Sequence, residues 1–271
     1  MGFYKTEALI LKVRAWGEAD QLLTLLSRER GKLVALAKGA RKPQSRLRGG
    51  AQLFTHASLM LHTGRTLDRI TGSQALKSFN LRENLDQLTC GVYWADLLDR
   101  ILPEREASPA VFNLALKALY WLEAEGDRRR LETGSLFFEW SLYPHIGCQP
   151  CIDCCVLCRR PRELEQEREF IFSAPAGGLV CPACRPEAGE SARLSPASLA
   201  VLRRWSTVSF SHFSRIGVSA ASRREIDRVI EQTWRYQLDQ ELPARSFLGR
   251  LSDRGQYKGR ELGEAIPEGS K

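Results

Sequence analysis

Seven of the eight cysteines in this chain lie between Cys148 and Cys184, and four of them form two matched pairs, Cys155-Val-Leu-Cys158 and Cys181-Pro-Ala-Cys184. A C-x-x-C turn lets two thiolates bind one ion, and two such turns supply the four soft ligands of a tetrahedral zinc site. The 22 residues between the pairs slightly exceed the usual ribbon spacing of about 15–20. Gly177-Gly178 offers the turn that brings the second pair back. Four thiolates leave no open position for water, so one structural zinc ion on Cys155, Cys158, Cys181 and Cys184 would hold the fold and perform no chemistry. No catalytic residue is expected, and the chain reads as a binding protein.

A second pattern overlaps the first. Cys148, Cys151, Cys154 and Cys158 follow C-x2-C-x2-C-x3-C, the spacing of a bacterial iron–sulfur run. Against it, Arg159 stands where a proline should follow the last cysteine, no second run exists, and Cys181 and Cys184 are left without a role. A thiol redox function of Cys148–Cys158 is the remaining alternative. Disulfides need an oxidising compartment, whereas Met1–Glu7 has no apolar signal core and no stretch approaches the roughly 18 apolar residues of a membrane span. A cytosolic chain with reduced thiols is expected, with no membrane partner.

The charge is as localised as the sulfur. Between Arg28 and Arg48 there are eight cations (Arg28, Arg30, Lys32, Lys38, Arg41, Lys42, Arg46, Arg48) and one anion, Glu29, a net of +7 in a chain of net charge +8. Such a field attracts polyanions by releasing their condensed counterions, and nucleic acid is the commonest of these. DNA contacts are expected from Lys38, Arg41, Lys42, Arg46 and Arg48. Trp16, close by in sequence, is a candidate for base stacking or for a half-buried barrel aromatic. An RNA-binding role fits the same features.

These groups need a scaffold, and the periodicity supplies an α+β one. Short strands are expected at 8–13, 22–26 and 32–37, with a basic loop from Lys38 to Gly50, then strands near 53–61 and 66–73. Five strands with one long connection fit a small closed barrel of the OB type, or one like SH3. From Leu81 the period becomes helical, with Leu85, Leu88, Val92 and Ala95 as its stripe and a stop at Pro103. Ser108-Pro109 opens a second helix, 129–142 is a third with Phe137, Phe138 and Trp140 as core, Ser195-Pro196 opens a fourth, and Ser222-Arg-Arg-Glu225 is a capping box for a fifth. The expected organisation is a barrel at 1–80, a helical body at 81–147 and 191–251, a four-cysteine module at 148–190, and a disordered tail at 252–271. Glu18 and Asp20 read as turn geometry, and the four histidines as ordinary surface or core residues.

Together these stretches resemble the RecO family of bacterial recombination mediators. The likeness is carried by Ala8-Leu-Ile-Leu-Lys-Val-Arg14, Gly17-Glu18-x-Asp20, Arg30-Gly31, Ala37-Lys-Gly-Ala-Arg41, Pro150-x-Ile152-Asp153-x-Cys155-x-x-Cys158, Gly177-Gly178-x-x-Cys181-x-x-Cys184 and Arg245-Ser-Phe-Leu248. The chain departs from the family pattern at Arg159, where a glycine usually follows the second cysteine, and in its extra Cys148, Cys151 and Cys154. The resemblance implies a non-enzymatic DNA-repair protein, cytoplasmic and nucleoid-associated. It would bind single- and double-stranded DNA, anneal complementary strands, and help load RecA onto strands coated by single-strand-binding protein (SSB). Its implied partners are RecR, in some members RecF, and the acidic tail of SSB. That tail needs an apolar notch rimmed by cations, expected where Trp205 and Trp234 stand near Arg203, Arg204, Arg228 and Arg235.

Overall fold

The run Ala8-Leu9-Ile10-Leu11 is apolar at every position, although a strand with one wet face would alternate. The computed structural model, which describes residues 2–161 and 168–238, supplies the reason. Strands β1 (Phe3–Trp16), β2 (Asp20–Ser27), β3 (Gly31–Ala37), β4 (Thr55–His62) and β5 (Asp68–Ser78) close into a barrel in the order β1-β2-β3-β5-β4. Strand β1 pairs with β4 through its first half and with β2 through its second, and a register shift between Ile10 and Lys12 marks the bend. Ala8 and Ile10 lie in the barrel core with Leu23, Leu25, Leu33 and Leu59, while Leu9 and Leu11 belong to a larger core shared with the helices.

The last two strands start later than the sequence suggests. Phe54 has φ +57, so the chain turns there instead of extending. Its N–H donates to Ile10 O, its carbonyl accepts from Phe79 N–H, and its ring joins the larger core.

Helices α1 (Leu85–Ile101), α2 (Pro109–Ala124), α3 (Arg128–Leu142), α4 (Pro196–Trp205) and α5 (Ala220–Leu238) form the body, the first four capped by Asn84, Ser108, Asp127 and Ser195. The stripe expected for α1 is half right: Ala95 is buried and Leu88 packs against the core. Leu85 and Val92 are exposed, whereas Cys90, Trp94, Leu97 and Leu98 are buried. The helix is apolar on several sides, so periodicity alone cannot choose between them. Phe137, Phe138 and Trp140 of α3 are core, as their spacing predicts.

The capping box of α5 is also reassigned. The helix begins at Ala220, and Ser219 Oγ accepts the Ser222 N–H at 3.0 Å. Glu225 instead reaches the start of α4, where its carboxylate accepts from Ser195 N–H at 2.8 Å, Ser195 Oγ at 2.8 Å and Ser198 Oγ at 2.6 Å. Burial raises its pKa, but these hydrogen bonds outweigh burial and hold it below the usual carboxylate range. The box therefore ties two helices together.

Between α3 and α4 lies a small sheet, β6 (Phe170–Ser173), β7 (Gly178–Val180) and β8 (Ala192–Leu194), in the order β7-β6-β8. The closing motif at 245–248 and the tail at 252–271 fall outside the described residues.

Candidate nucleic-acid interface and metal centre

The chain after β3 cannot continue the barrel, because Gly39, Pro43, Gly49 and Gly50 interrupt any strand pattern. It becomes a string of turns in which Lys42 N–H donates to Gly39 O, Ser45 N–H to Lys42 O, and Arg48 N–H to Ser45 O. Ala40, Leu47 and Ala51 are buried in the barrel core and pin this loop down. Around those anchors the side chains of Lys38, Arg41, Lys42, Arg46 and Arg48 are all exposed. Among the described residues none of the five has a carboxylate partner, and Arg41 reaches only the Gly17 carbonyl, at 3.4 Å. A cleft of about 370 Å³ opens beneath, lined by Gln21, Ala40, Arg41, Pro43, Arg48, Ala51 and Gln52.

Asp20 has the partner that its sequence context hides. Pairing of Gln21 with Ala37 returns the chain to the start of β2, where Asp20 Oδ1 accepts the Gly39 N–H at 2.7 Å and Ala19 O accepts the Arg41 N–H at 2.9 Å. Trp16 ends β1 beside this turn, with 54% of its surface exposed. Such exposure of a large aromatic is what a stacking platform offers.

The other three cations of the run turn towards the protein. Arg28 pairs with Glu7 at 3.1 Å, donates to Asn113 at 2.8 Å and lies over the Phe112 ring. Arg30 stacks on Tyr4 at 3.9 Å, and Lys32 meets Asp99 at 3.6 Å together with the Asp99 carbonyl. Arg28 and Lys32 join the barrel to the helices, while Arg30 stays on the barrel's own β1. Next to them, Tyr4 and Arg105 both hydrogen-bond the fully buried Asp68, at 2.5 and 3.2 Å, and Lys12 bridges Asp96 and Asp99 at 2.8 and 2.7 Å.

In the cysteine module, the Sγ atoms of Cys155, Cys158, Cys181 and Cys184 all lie within 4.8 Å of one another. Bonds of 2.3 Å to a tetrahedral ion would place sulfurs about 3.8 Å apart; Cys158 and Cys181 are already at 3.7 Å. The set could therefore hold a metal ion with little movement. Burial pushes the Cys155 thiol up, but N–H groups of Cys158, Cys181 and Leu157 outweigh it and bring the pKa to about 6. Cys184 goes the other way, to about 12, through its hydrogen bond to Cys181, burial, and the other two sulfurs. Four thiolates without a cation repel; a dication resolves the conflict. Among the described residues this is the one such cluster, and Cys148, Cys151 and Cys154 do not join it. The iron–sulfur spacing is thus not realised as a single site.

A groove of about 910 Å³ lies between α2, the end of α3, the segment 149–153 and the end of α4. Trp205 and Arg203 line it, with Lys117 and His145; Arg204, Arg228 and Arg235 do not. Arg203 donates to Ile152 O at 2.9 Å and pairs with Asp153 at 3.2 Å. Helices α4 and α5 do pack together, yet Trp234 is buried against Tyr143 and Arg235 pairs with Glu231. Arg204 and Arg228 are exposed.

Two family models span most of the chain, one described as recombination protein O N terminal over residues 1–79 and one as recombination protein O C terminal over residues 82–246. The chain belongs to the RecO family. Proteins named DNA repair protein RecO are similar along nearly its whole length. The one from Symbiobacterium thermophilum is 31% identical, covering 93% of this chain and 98% of its own. Those from Heliobacterium modesticaldum and Desulfitobacterium hafniense (strain DCB-2) are each 34% identical, covering 87% and 94% of this chain and 85% and 93% of their own. Membership makes this RecO-family chain a DNA-repair recombination mediator.

The departure at Arg159 has a geometric meaning in this RecO-family fold. Arg159 has φ +60, the left-handed region in which glycine is at ease and other residues lose about 1–2 kcal/mol. The turn survives the substitution because Arg159 N–H donates to Cys155 O and Cys155 N–H to Arg160 O, both at 2.8 Å. No described helix is long and apolar enough to cross a membrane.

Proposed function

We propose that this chain binds single- and double-stranded DNA through its barrel and basic loop, anneals complementary strands and, with RecR, helps load RecA onto DNA coated by SSB. RecF is a further partner in this reading, and the site of action is the bacterial cytoplasm at the nucleoid. The observation that supports it best is the set of five exposed cations, Lys38, Arg41, Lys42, Arg46 and Arg48, left without internal carboxylates on a loop whose backbone is pinned. Annealing must bring two polyanions together, and a fixed cationic surface lowers their repulsion. The strand order matches an OB-type barrel, a scaffold that commonly presents such loops to single strands. A titration of labelled oligonucleotide at several salt concentrations tests the reading. A log–log slope near zero would exclude a phosphate-contacting site.

The division of labour in this reading takes the boundaries expected from sequence, barrel at 1–80, helical body at 81–147 and 191–251, and module at 148–190, with β8 (Ala192–Leu194) pairing back onto the module's β6. One structural zinc ion would be held by Cys155, Cys158, Cys181 and Cys184, whose sulfur spacing and chemistry suit it. It would secure the module and take no part in strand chemistry, and no residue is assigned a catalytic role.

The acidic tail of SSB is proposed to dock on the helical body beside Trp205, with Arg203, Arg204, Arg228 and Arg235 as the cations that attract it. Titration of a labelled tail peptide should show a several-fold loss with Arg204→Glu and with Arg235→Glu at unchanged zinc content. Equal affinity across wild type and both variants would remove the tail from this face.

A further inference from the structure

The fold sorts the cysteines into groups. Cys90 sits in the larger core, where burial pushes its thiol up to about 12. Cys148 packs against the same core, and four others form the metal cluster. Cys151 and Cys154 remain, and neither the metal site nor the DNA surface uses them. They make a third C-x-x-C, Cys151-Ile-Asp-Cys154, with their sulfurs 3.3 Å apart.

The backbone holds this pair in place. Cys151 donates its N–H to Gly177 O at 3.0 Å and accepts the Leu179 N–H at 2.8 Å, while Cys154 forms a bridge with Pro161. Gly178 permits the close pairing, because a Cβ there would come within 2.2 Å of the Cys151 carbonyl oxygen. Both cysteines are partly exposed, so a small molecule can reach them.

We propose that Cys151 and Cys154 form a reversible intramolecular disulfide, a modification site separate from the metal cluster. A disulfide bond is about 2.05 Å long, so the sulfurs must close by about 1.2 Å, a distance that side-chain rotation can supply. The oxidant is a low-molecular-weight disulfide. One protein thiolate attacks it, forming a mixed disulfide and expelling one small thiol. The second protein thiolate then attacks the protein-side sulfur and expels the other. The protein loses two electrons and two protons, which leave on the two small thiols, and excess thiol reverses the exchange. The bond would fasten the turn that carries the Ile152 carbonyl and Asp153, the two groups that hold Arg203 at the groove.

The test uses full-length, zinc-loaded protein equilibrated with oxidised and reduced glutathione, then alkylated and mapped by peptide mass spectrometry. The expected result is loss of two hydrogens and of two alkylation sites in the peptide carrying Cys151 and Cys154. It should reverse with reduced glutathione, leave zinc content unchanged, disappear in Cys151→Ser and in Cys154→Ser, and persist in Cys148→Ser. The proposal is overturned if the wild-type pair stays alkylatable under oxidising ratios, if glutathione remains attached to one cysteine without resolution, or if the disulfide involves Cys155, Cys158, Cys181 or Cys184 with release of zinc.

Discussion

The basic loop and the cysteine module are both irregular segments attached to regular scaffolds, and they are organised in opposite senses. The loop turns small apolar side chains inward, Ala40, Leu47 and Ala51, and leaves every charged group outside. The module turns its reactive groups towards one another, with Cys155 and Cys181 buried among Ile171, Val180 and Ala188, Cys184 half-buried and Cys158 at the surface. The first arrangement keeps its functional atoms free for a partner. In the proposed reading the second commits them to its own folding, as small modules with little apolar core require.

The sharpest way to break this contrast is at the sulfurs. Cys155→Ser or Cys181→Ser should take zinc from one ion per chain to none and lower solubility, measured by metal analysis of purified protein. Cys151→Ser should leave zinc in place, and the reverse pattern would mean that the ligands are misassigned. Next in size is the combined charge reversal of Arg41, Lys42, Arg46 and Arg48. Each lost phosphate contact should flatten the log–log salt dependence by about 0.7–0.9. The melting temperature should be nearly unchanged, because among the described residues these side chains make no ion pair and Arg41 makes only an exposed 3.4 Å hydrogen bond to Gly17 O. An unchanged slope would move the DNA site to another face.

Smaller effects refine the picture of the loop. Trp16→Ala should weaken single-strand binding by about 1–3 kcal/mol with little change for duplex, if its ring stacks on a base. Equal losses for both forms would make it a barrel residue. Asp20→Ala removes the acceptor for Gly39 N–H and should lower stability by about 1 kcal/mol. DNA affinity should fall a few-fold at unchanged salt slope, since the cations remain but are less fixed; a changed slope would show that Asp20 does more than hold the backbone.

Much of this arrangement was legible in the sequence. The spacing of Cys155, Cys158, Cys181 and Cys184 picks out the set that the fold gathers, and the five expected strands and five expected helices appear in order, but the short sheet β6–β8 between the third and fourth helices was not foreseen. The illegible parts share a cause: they depend on partners distant in sequence. The run from Arg28 to Arg48 looks uniform, yet Arg28, Arg30 and Lys32 face Glu7, Tyr4 and Asp99 while the later five face solvent. No local pattern distinguishes them. Glu225 matches a capping box for its own helix but caps another, and the exposed Leu85 and Val92 are as apolar as the buried Leu97 and Leu98. Trp205 and Trp234 share a composition of neighbours, and packing buries both in the larger core, Trp205 against Phe137 and Trp234 against Tyr143, although the sequence offered them as the walls of a surface notch.

Strand β1 has one more consequence. Ala8 and Ile10 look into one compartment and Leu9 and Leu11 into the other, so the strand is a party wall between two cores. Side chains alternate along a strand, and a slip of one residue would exchange all four between compartments at once. A barrel closed in the wrong register could not dock the helices, and helices docked on a misplaced strand could not leave the barrel filled. The wall thus makes each half a check on the assembly of the other.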